Sequence, residues 1–134
     1  MKILIIDGQG GGIGRQIVSA LKAAYPQPEL IAVGTNAMAT SAMIKAGAHA
    51  AATGENSVKV CAKTADIIIG PVGIVIADAL LGEITPDMAL AIGQSGAKRI
   101  LIPVNHCDNM VVGVGEVNMS RLIAEVVEEV GRGR

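Results

Sequence analysis

The first fifteen residues constrain this chain more than any other stretch. An aliphatic run, Ile3-Leu4-Ile5-Ile6, stops at Asp7. It is followed by Gly8-Gln9-Gly10-Gly11-Gly12-Ile13-Gly14-Arg15, and a helical pattern begins there. A buried strand that ends in a glycine-rich turn and opens straight into a helix is the corner at which α/β proteins hold phosphate. Glycine lets the backbone turn tightly and approach a ligand, while the helix start offers free N–H groups and partial positive charge. The plainer alternative is that the glycines only allow tight strand–helix packing, but five glycines in seven residues exceed that need. The turn therefore predicts a small anionic ligand, nucleotide in type, contacted by Gly8, Gln9, Gly10, Gly11, Gly12, Ile13, Gly14 and Arg15.

The rest of the chain alternates strands with helices. Strands are expected at Lys2–Asp7, Glu29–Gly34, 48–52, 66–69 and 99–104. The helix after the glycine turn buries Ile13, Ile17, Leu21 and Ala24 and is closed by Pro26 and Pro28. A second helix, over 37–46, takes its cap from Thr35 or Asn36 and stops at Gly47. A short helix over 57–63 is capped by Asn56, and 74–81 reads as helix from its run of alanines and leucines. Thr85-Pro86-Asp87 is a strong helix start, with a capping hydroxyl, proline at the first helical position and an acid in the first turn. The last helix, capped by Asn118, spaces Met119, Leu122, Ile123, Val126, Val127 and Val130 as a continuous apolar stripe, with Arg121 and Glu125 paired outside it. Between 99–104 and that helix, 110–114 reads as a further strand. Five connecting residues are too few for a parallel crossover, so this pair is expected as an antiparallel hairpin at the sheet edge.

The fold class that follows is α/β: one doubly wound, mostly parallel sheet of order 3-2-1-4-5, with helices on both faces and an extra antiparallel edge strand. It fills one domain, residues 1–130, with a frayed tail over 131–134. Composition agrees. Ala, Ile and Val dominate, Phe and Trp are absent and Tyr25 is the single aromatic residue, as in a sheet whose strands are buried on both faces. The formal net charge of -1, without a basic cluster or stacking rings, leaves no footprint for nucleic acid. The longest apolar stretch, 67–81, contains Gly70, Pro71, Gly73 and Asp78 and is shorter than the ~20 residues a membrane span needs. With two cysteines and no leader-like start, the expectation is a soluble cytoplasmic protein, and the surplus of aliphatic residues points to self-association as a homo-oligomer.

Gly8, Gly12 and Gly14 follow a Gly-x-x-x-Gly-x-Gly order, and the helix opens as Gly-Ile-Gly-Arg. Over these fifteen residues the chain resembles the cofactor turn of short-chain dehydrogenases, which implies NAD or NADP. Two features of that family are missing. No acid stands at the end of the second strand to hold a ribose; Gly34-Thr35-Asn36 is there instead, leaving Thr35 and Asn36 as ribose contacts and neither NAD nor NADP favoured. The Tyr-x-x-x-Lys pair is also absent, because Tyr25 is followed by Pro26-Gln27-Pro28-Glu29, which excludes dehydrogenase chemistry by that mechanism. Nor is the turn a P-loop, since no Lys-Ser/Thr pair follows it. At full length the chain resembles a small family of uncharacterised bacterial Rossmann-like proteins. The resemblance rests on Ile-Asp-Gly-Gln-Gly-Gly-Gly-Ile-Gly, Ile-Gly-Pro-Val-Gly-Ile, Gly82-Glu83-Ile84-Thr85-Pro86 and Ile102-Pro103-Val104-Asn105-His106-Cys107. It implies a fold and no activity.

Strand ends converge in such a fold, so Asp7, Gly70, Pro71, Asn105, His106 and Cys107 are expected along one crevice with the turn. His106 and Cys107 are the candidate catalytic pair, a base beside a thiol, although neighbours on an extended chain point to opposite sides. A polar hairpin loop is the plainer reading. No Cys-x-x-Cys or His-x-x-x-His spacing exists, so no metal site is expected. Cys61 reads as a core thiol and His49 as a packed or exposed side chain. Asp78 reads either as a buried, partnered acid or as an exposed one. Three readings stand: a ligand-binding domain, a small enzyme acting on a phosphorylated or carboxylated ligand through Asn105-His106-Cys107, or an oligomerising protein with a vestigial site.

Overall fold

The computed structural model describes residues 1–104 and 108–132. Its elements in order are β1 (Lys2–Asp7), α1 (Gly12–Ala24), β2 (Glu29–Gly34), α2 (Ala37–Lys45), β3 (Ala50–Thr53), α3 (Glu55–Ala62), β4 (Ile67–Pro71), a single 3-10 turn (Val72–Val75), α4 (Pro86–Gln94), β5 (Lys98–Ile102) and α5 (Met119–Arg132). The strands form one sheet of order β3-β2-β1-β4-β5, and every pairing is parallel.

Alternation along the strands divides the core in two, because successive side chains of a strand point to opposite faces. Ile3 and Ile5 of β1, Leu30 and Ala32 of β2, and Ile67 and Ile69 of β4 pack with α1, α2 and α5. Leu4, Ile6, Val33 and Ile68 point the other way, against α3, α4 and the segment between β4 and α4. Strands buried on both faces need aliphatic residues at every position, which is why β1 and β4 read as unbroken runs of Ile and Leu. The helices contribute stripes at helical spacing: Ile17, Val18 and Leu21 from α1, and Ile123, Val126 and Val130 from α5. Parallel register aligns the strand ends, with Asp7 opposite Gly34 and Ile5 opposite both Ala32 and Ile69. The glycine turn, the Thr35-Asn36 corner and Gly70-Pro71 thus sit along one edge of the sheet.

The caps follow the expected chemistry in three places. Asn36 accepts the Ala39 N–H at 2.9 Å, Thr85 accepts the Met88 N–H at 3.1 Å, and Asn118, ahead of α5, accepts the Arg121 N–H at 3.1 Å. Elsewhere the structure corrects the sequence. Residues 110–114 make no edge strand: Gly113 takes a left-handed φ of 91° that breaks an extended run, and Met110 and Val112 stand 85% and 86% exposed. Residues 74–81 are not a helix. After the 3-10 turn the chain folds into a tight loop in which Ile74, Ala79, Leu80 and Ile84 are buried, so their burial is met without helical spacing. Helix α3 starts from Gly54 rather than Asn56, because Gly54 at φ 100° turns the chain directly out of β3. Helix α1 buries Val18 and leaves Ala24 exposed, and α5 runs on through Arg132.

Asp78 is exposed, Cys61 half-buried, and exposed His49 accepts the Leu30 N–H through Nδ1 at 3.0 Å. Among the described residues no helix is long and apolar enough to cross a membrane.

The sharpest packing constraint is at Gly70 in β4. A Cβ there would meet the backbone oxygen of Ile6 and stand 2.9 Å from Ile74 Cδ1. A backbone atom in a central strand cannot give way, so Gly70→Ala is expected to lower unfolding free energy by about 1–3 kcal/mol, the range of core overpacking. Urea denaturation of the two proteins measures this, and equal midpoints would contradict it.

Candidate functional site

The glycine turn is held from below by a buried acid. Asp7, at the end of β1, is 2% exposed, and its two carboxylate oxygens take different donors: Oδ1 accepts the Gly8 N–H at 2.8 Å and Oδ2 the Gly14 N–H at 2.6 Å. The Ile13 N–H also bonds to this carboxylate. The first turn of α1, whose N–H groups have no partner within the helix, is therefore capped by a side chain seven residues upstream. Gly14 has no side chain because a Cβ would stand 2.6 Å from Met43 Sδ and 2.9 Å from Asp7 Cβ. Gly11 takes the left-handed conformation, φ 73°, and its Cβ position lies 2.8 Å from the Ala39 backbone of α2.

A second carboxylate covers the turn from above. Glu83 comes from the loop between β4 and α4. Its Oε1 accepts the Gln9 N–H at 2.9 Å, the Asn36 amide at 2.8 Å and the Thr35 hydroxyl at 2.5 Å. Leu80 of the same loop lies over Gly8, with Cδ1 only 2.8 Å from where a Cβ would be. The two acids are shifted in opposite directions. Burial pushes the Asp7 carboxyl above its ordinary value, against the bonds from Gly14, Gly8 and Ile13, and the charge of Glu83 adds to the rise. Burial would raise Glu83 too, but bonds from Thr35, Gln9 and Asn36 outweigh it and hold that carboxyl below the usual range.

What stays open is the outer face of the turn. The Gly11 N–H donates to Gly8 O and the Arg15 N–H to Gly11 O, each at 2.9 Å. Among the described residues the N–H groups of Gly10 and Gly12 meet no protein acceptor, and nothing lies within 4 Å of the Cβ position of either. Arg15 is exposed at the same helix start, and Ile13 is half-buried. Of the other candidates, Thr35 and Asn36 stand at the edge bound to Glu83, while Gly70 and Pro71 are buried within the sheet. Asn105, His106 and Cys107 lie outside the described residues. Sequence reasoning missed Glu83. Its only signal is an acid after Gly82 and just ahead of the Thr85-Pro86 helix start, which does not say that its side chain reaches back to the first loop.

A family model described as a domain of unknown function, DUF3842, matches residues 2–133. The chain belongs to the DUF3842 family. No functionally curated protein matches it. Among solved structures it is similar to a dodecameric FMN-dependent UbiX-like decarboxylase from Escherichia coli O157:H7. The identity is 16%, covering 98% of this chain and 95% of that one, with a TM-score of 0.47.

That protein is FMN-dependent by its description; for this DUF3842 chain the expectation of NAD or NADP is corrected on the geometry of its own residues. The physical reason lies in its own loop. The ground beside Thr35 and Asn36, where a dinucleotide's ribose would rest, is filled by Glu83, and Leu80 closes over Gly8.

The state of Asp7 has a consequence for stability. An acid whose pKa is raised on folding binds its proton more tightly in the folded state. That state then holds more protons from 3.8 up to the raised value, and stability falls as pH climbs through that window. Asp7→Asn removes this slope. It also turns an amide N–H₂ toward one of the backbone donors, at a cost of about 1–3 kcal/mol for the donor left unpaired. In urea denaturation across pH, the advantage of the wild type over Asp7→Asn should shrink as pH rises through the window and then level off. A constant difference would contradict the burial effect.

Proposed function

We propose that this protein binds a small phosphate-bearing ligand on the outer face of its glycine turn. The observation that carries the reading is the division of the turn's N–H groups. Those of Gly8, Ile13 and Gly14 serve Asp7, and that of Gln9 serves Glu83. Those of Gly10 and Gly12 meet no protein acceptor among the described residues, and there is open space beside both at the start of α1, where backbone donors and the helix dipole favour an anion. Arg15 supplies a cation beside them. Nucleotides belong to this ligand class through their phosphate.

The test is thermal shift and calorimetry with inorganic phosphate, AMP and FMN, on the wild type and on Gly12→Val. A ligand at 100 times its Kd stabilises by about 2.7 kcal/mol, a readily measured rise in Tm. The variant should fold with an unchanged Tm, because the space its side chain enters is empty, and should lose the ligand's shift. No shift with any of the three overturns the reading, and a shift that survives in Gly12→Val moves the ligand away from the turn.

We also propose that the chain self-associates through the apolar segment that follows β5. Met110, Val112 and Val117 are 85%, 86% and 50% exposed in the irregular segment between β5 and α5. Exposed apolar runs of this kind mark association surfaces. Size-exclusion chromatography with light scattering should give an oligomer for the wild type and a smaller species for the Met110→Lys, Val112→Lys double variant. A monomeric wild type would overturn this.

A further inference from the structure

Among the described residues, four other than glycine hold a left-handed backbone: Gln9 (φ 50°), Asp78 (66°), Leu80 (58°) and Leu81 (56°). This conformation is unfavourable for L side chains, and all four lie in the two loops that Glu83 ties together. The β4–α4 loop is fixed from within. The Asp78 N–H donates to Ile84 O at 2.7 Å, Gly82 N–H to Asp78 O at 3.1 Å and Glu83 N–H to Leu80 O at 3.2 Å, and Ala79, Leu80 and Ile84 are buried. The backbone of Glu83 is thus held while its side chain spans outward to the turn. At the far end a backbone N–H, a hydroxyl and a side-chain amide, from two separate loops, converge on the single oxygen Oε1. Oε2 has no protein partner among the described residues.

A donor set that holds one anionic oxygen in this way is a formed anion site, and its occupant is part of the chain. We infer that Glu83 is an internal stand-in for the ligand: its side chain rotates out when a phosphate binds, and a phosphate oxygen takes over the donors of Gln9, Thr35 and Asn36. The inference rests on the phosphate reading of the turn. It adds a selectivity. A tethered carboxylate competes at high effective concentration, so a free monocarboxylate that only replaces it gains nothing. A phosphate brings further oxygens, and these reach the N–H groups of Gly10 and Gly12 next to Gln9, which the Glu83 carboxylate leaves unused.

The test is calorimetry on the full chain with inorganic phosphate and with acetate, using the wild type, Glu83→Gln, Glu83→Ala and the pair Glu83→Ala, Thr35→Val. Glu83→Ala should bind phosphate at least tenfold more tightly than the wild type and should gain measurable acetate binding, which the wild type lacks. Glu83→Gln, which keeps the side-chain volume and loses the charge, should fall between, at least threefold tighter, and carries the test if the alanine variant does not fold. Adding Thr35→Val should remove most of the gain, because one of the three donors is lost. Wild-type phosphate binding with no gain in either Glu83 variant overturns the inference and leaves the phosphate reading standing. A gain that persists with Thr35→Val also overturns it, by placing the anion elsewhere. Absence of phosphate binding in all four proteins overturns both.

Discussion

The carboxylate of Asp7 is the contact on which the rest of the functional edge depends. It is the one buried charged side chain among the described residues, and it sits where β1 must end and α1 must begin. A helix start carries unpaired N–H groups, and a buried one needs partners for them. By giving one oxygen to Gly8 and the other to Gly14, Asp7 fixes both ends of the turn at once and pins α1 against the sheet. The glycines follow from that. Gly14 must lie so close to Asp7 and Met43 that no side chain fits, and Gly11 must turn left-handed to bring the chain back onto α2. Part of the glycine content is therefore architectural, and only Gly10 and Gly12 remain turned outward with room beside them.

This arrangement changes what an anion corner means here. The inner donors of a glycine turn normally await a ligand; in this chain they are committed to Asp7. The next layer, at Gln9, Thr35 and Asn36, is committed to Glu83. Two carboxylates so near each other are tolerated because they are solvated by different means. Asp7 is buried and its ionised form is disfavoured, while Glu83 is kept ionised by three donors converging on one oxygen. A phosphate at the proposed site would face repulsion from the ionised Glu83 unless that side chain moves.

The fold was legible in the sequence because burial on both faces leaves a mark at every position of a strand. The unbroken runs of β1 and β4, the capped starts of α2 and α4, and the stripe of α5 each follow from one local requirement, and the strand order from chain direction. The segments read wrongly are those whose side chains answer to distant partners. Residues 74–81 carry an aliphatic composition that suits a helix, but they fill the space beside β1 and β2 as a loop. Residues 110–114 have strand composition, but Gly113 breaks the run. Glu83 is 48 residues from Thr35 and 74 from Gln9, and nothing local to it announces either contact. Asp7, adjacent to the glycines, could be placed at the edge from sequence alone. Its role as the cap of α1 could not, because that depends on the chain returning within 3 Å at Gly14.

The geometry also bounds how large the ligand's recognised part can be. The crevice that an open parallel sheet offers lies beyond the strand ends, on both sides of β1. Toward β2 it is closed by Leu80 and Glu83. Toward β4 the chain continues through buried Pro71 into the 3-10 turn, with Gly73 and Ile74 also buried. A long ligand lying across the strand ends, as a dinucleotide does, would have to dislodge residues that belong to the core. A phosphate approaching the turn from outside displaces at most one side chain. The same loop that closes the long crevice provides that side chain, so the proposed anion site and its proposed guard both rest on the path of the chain between β4 and α4.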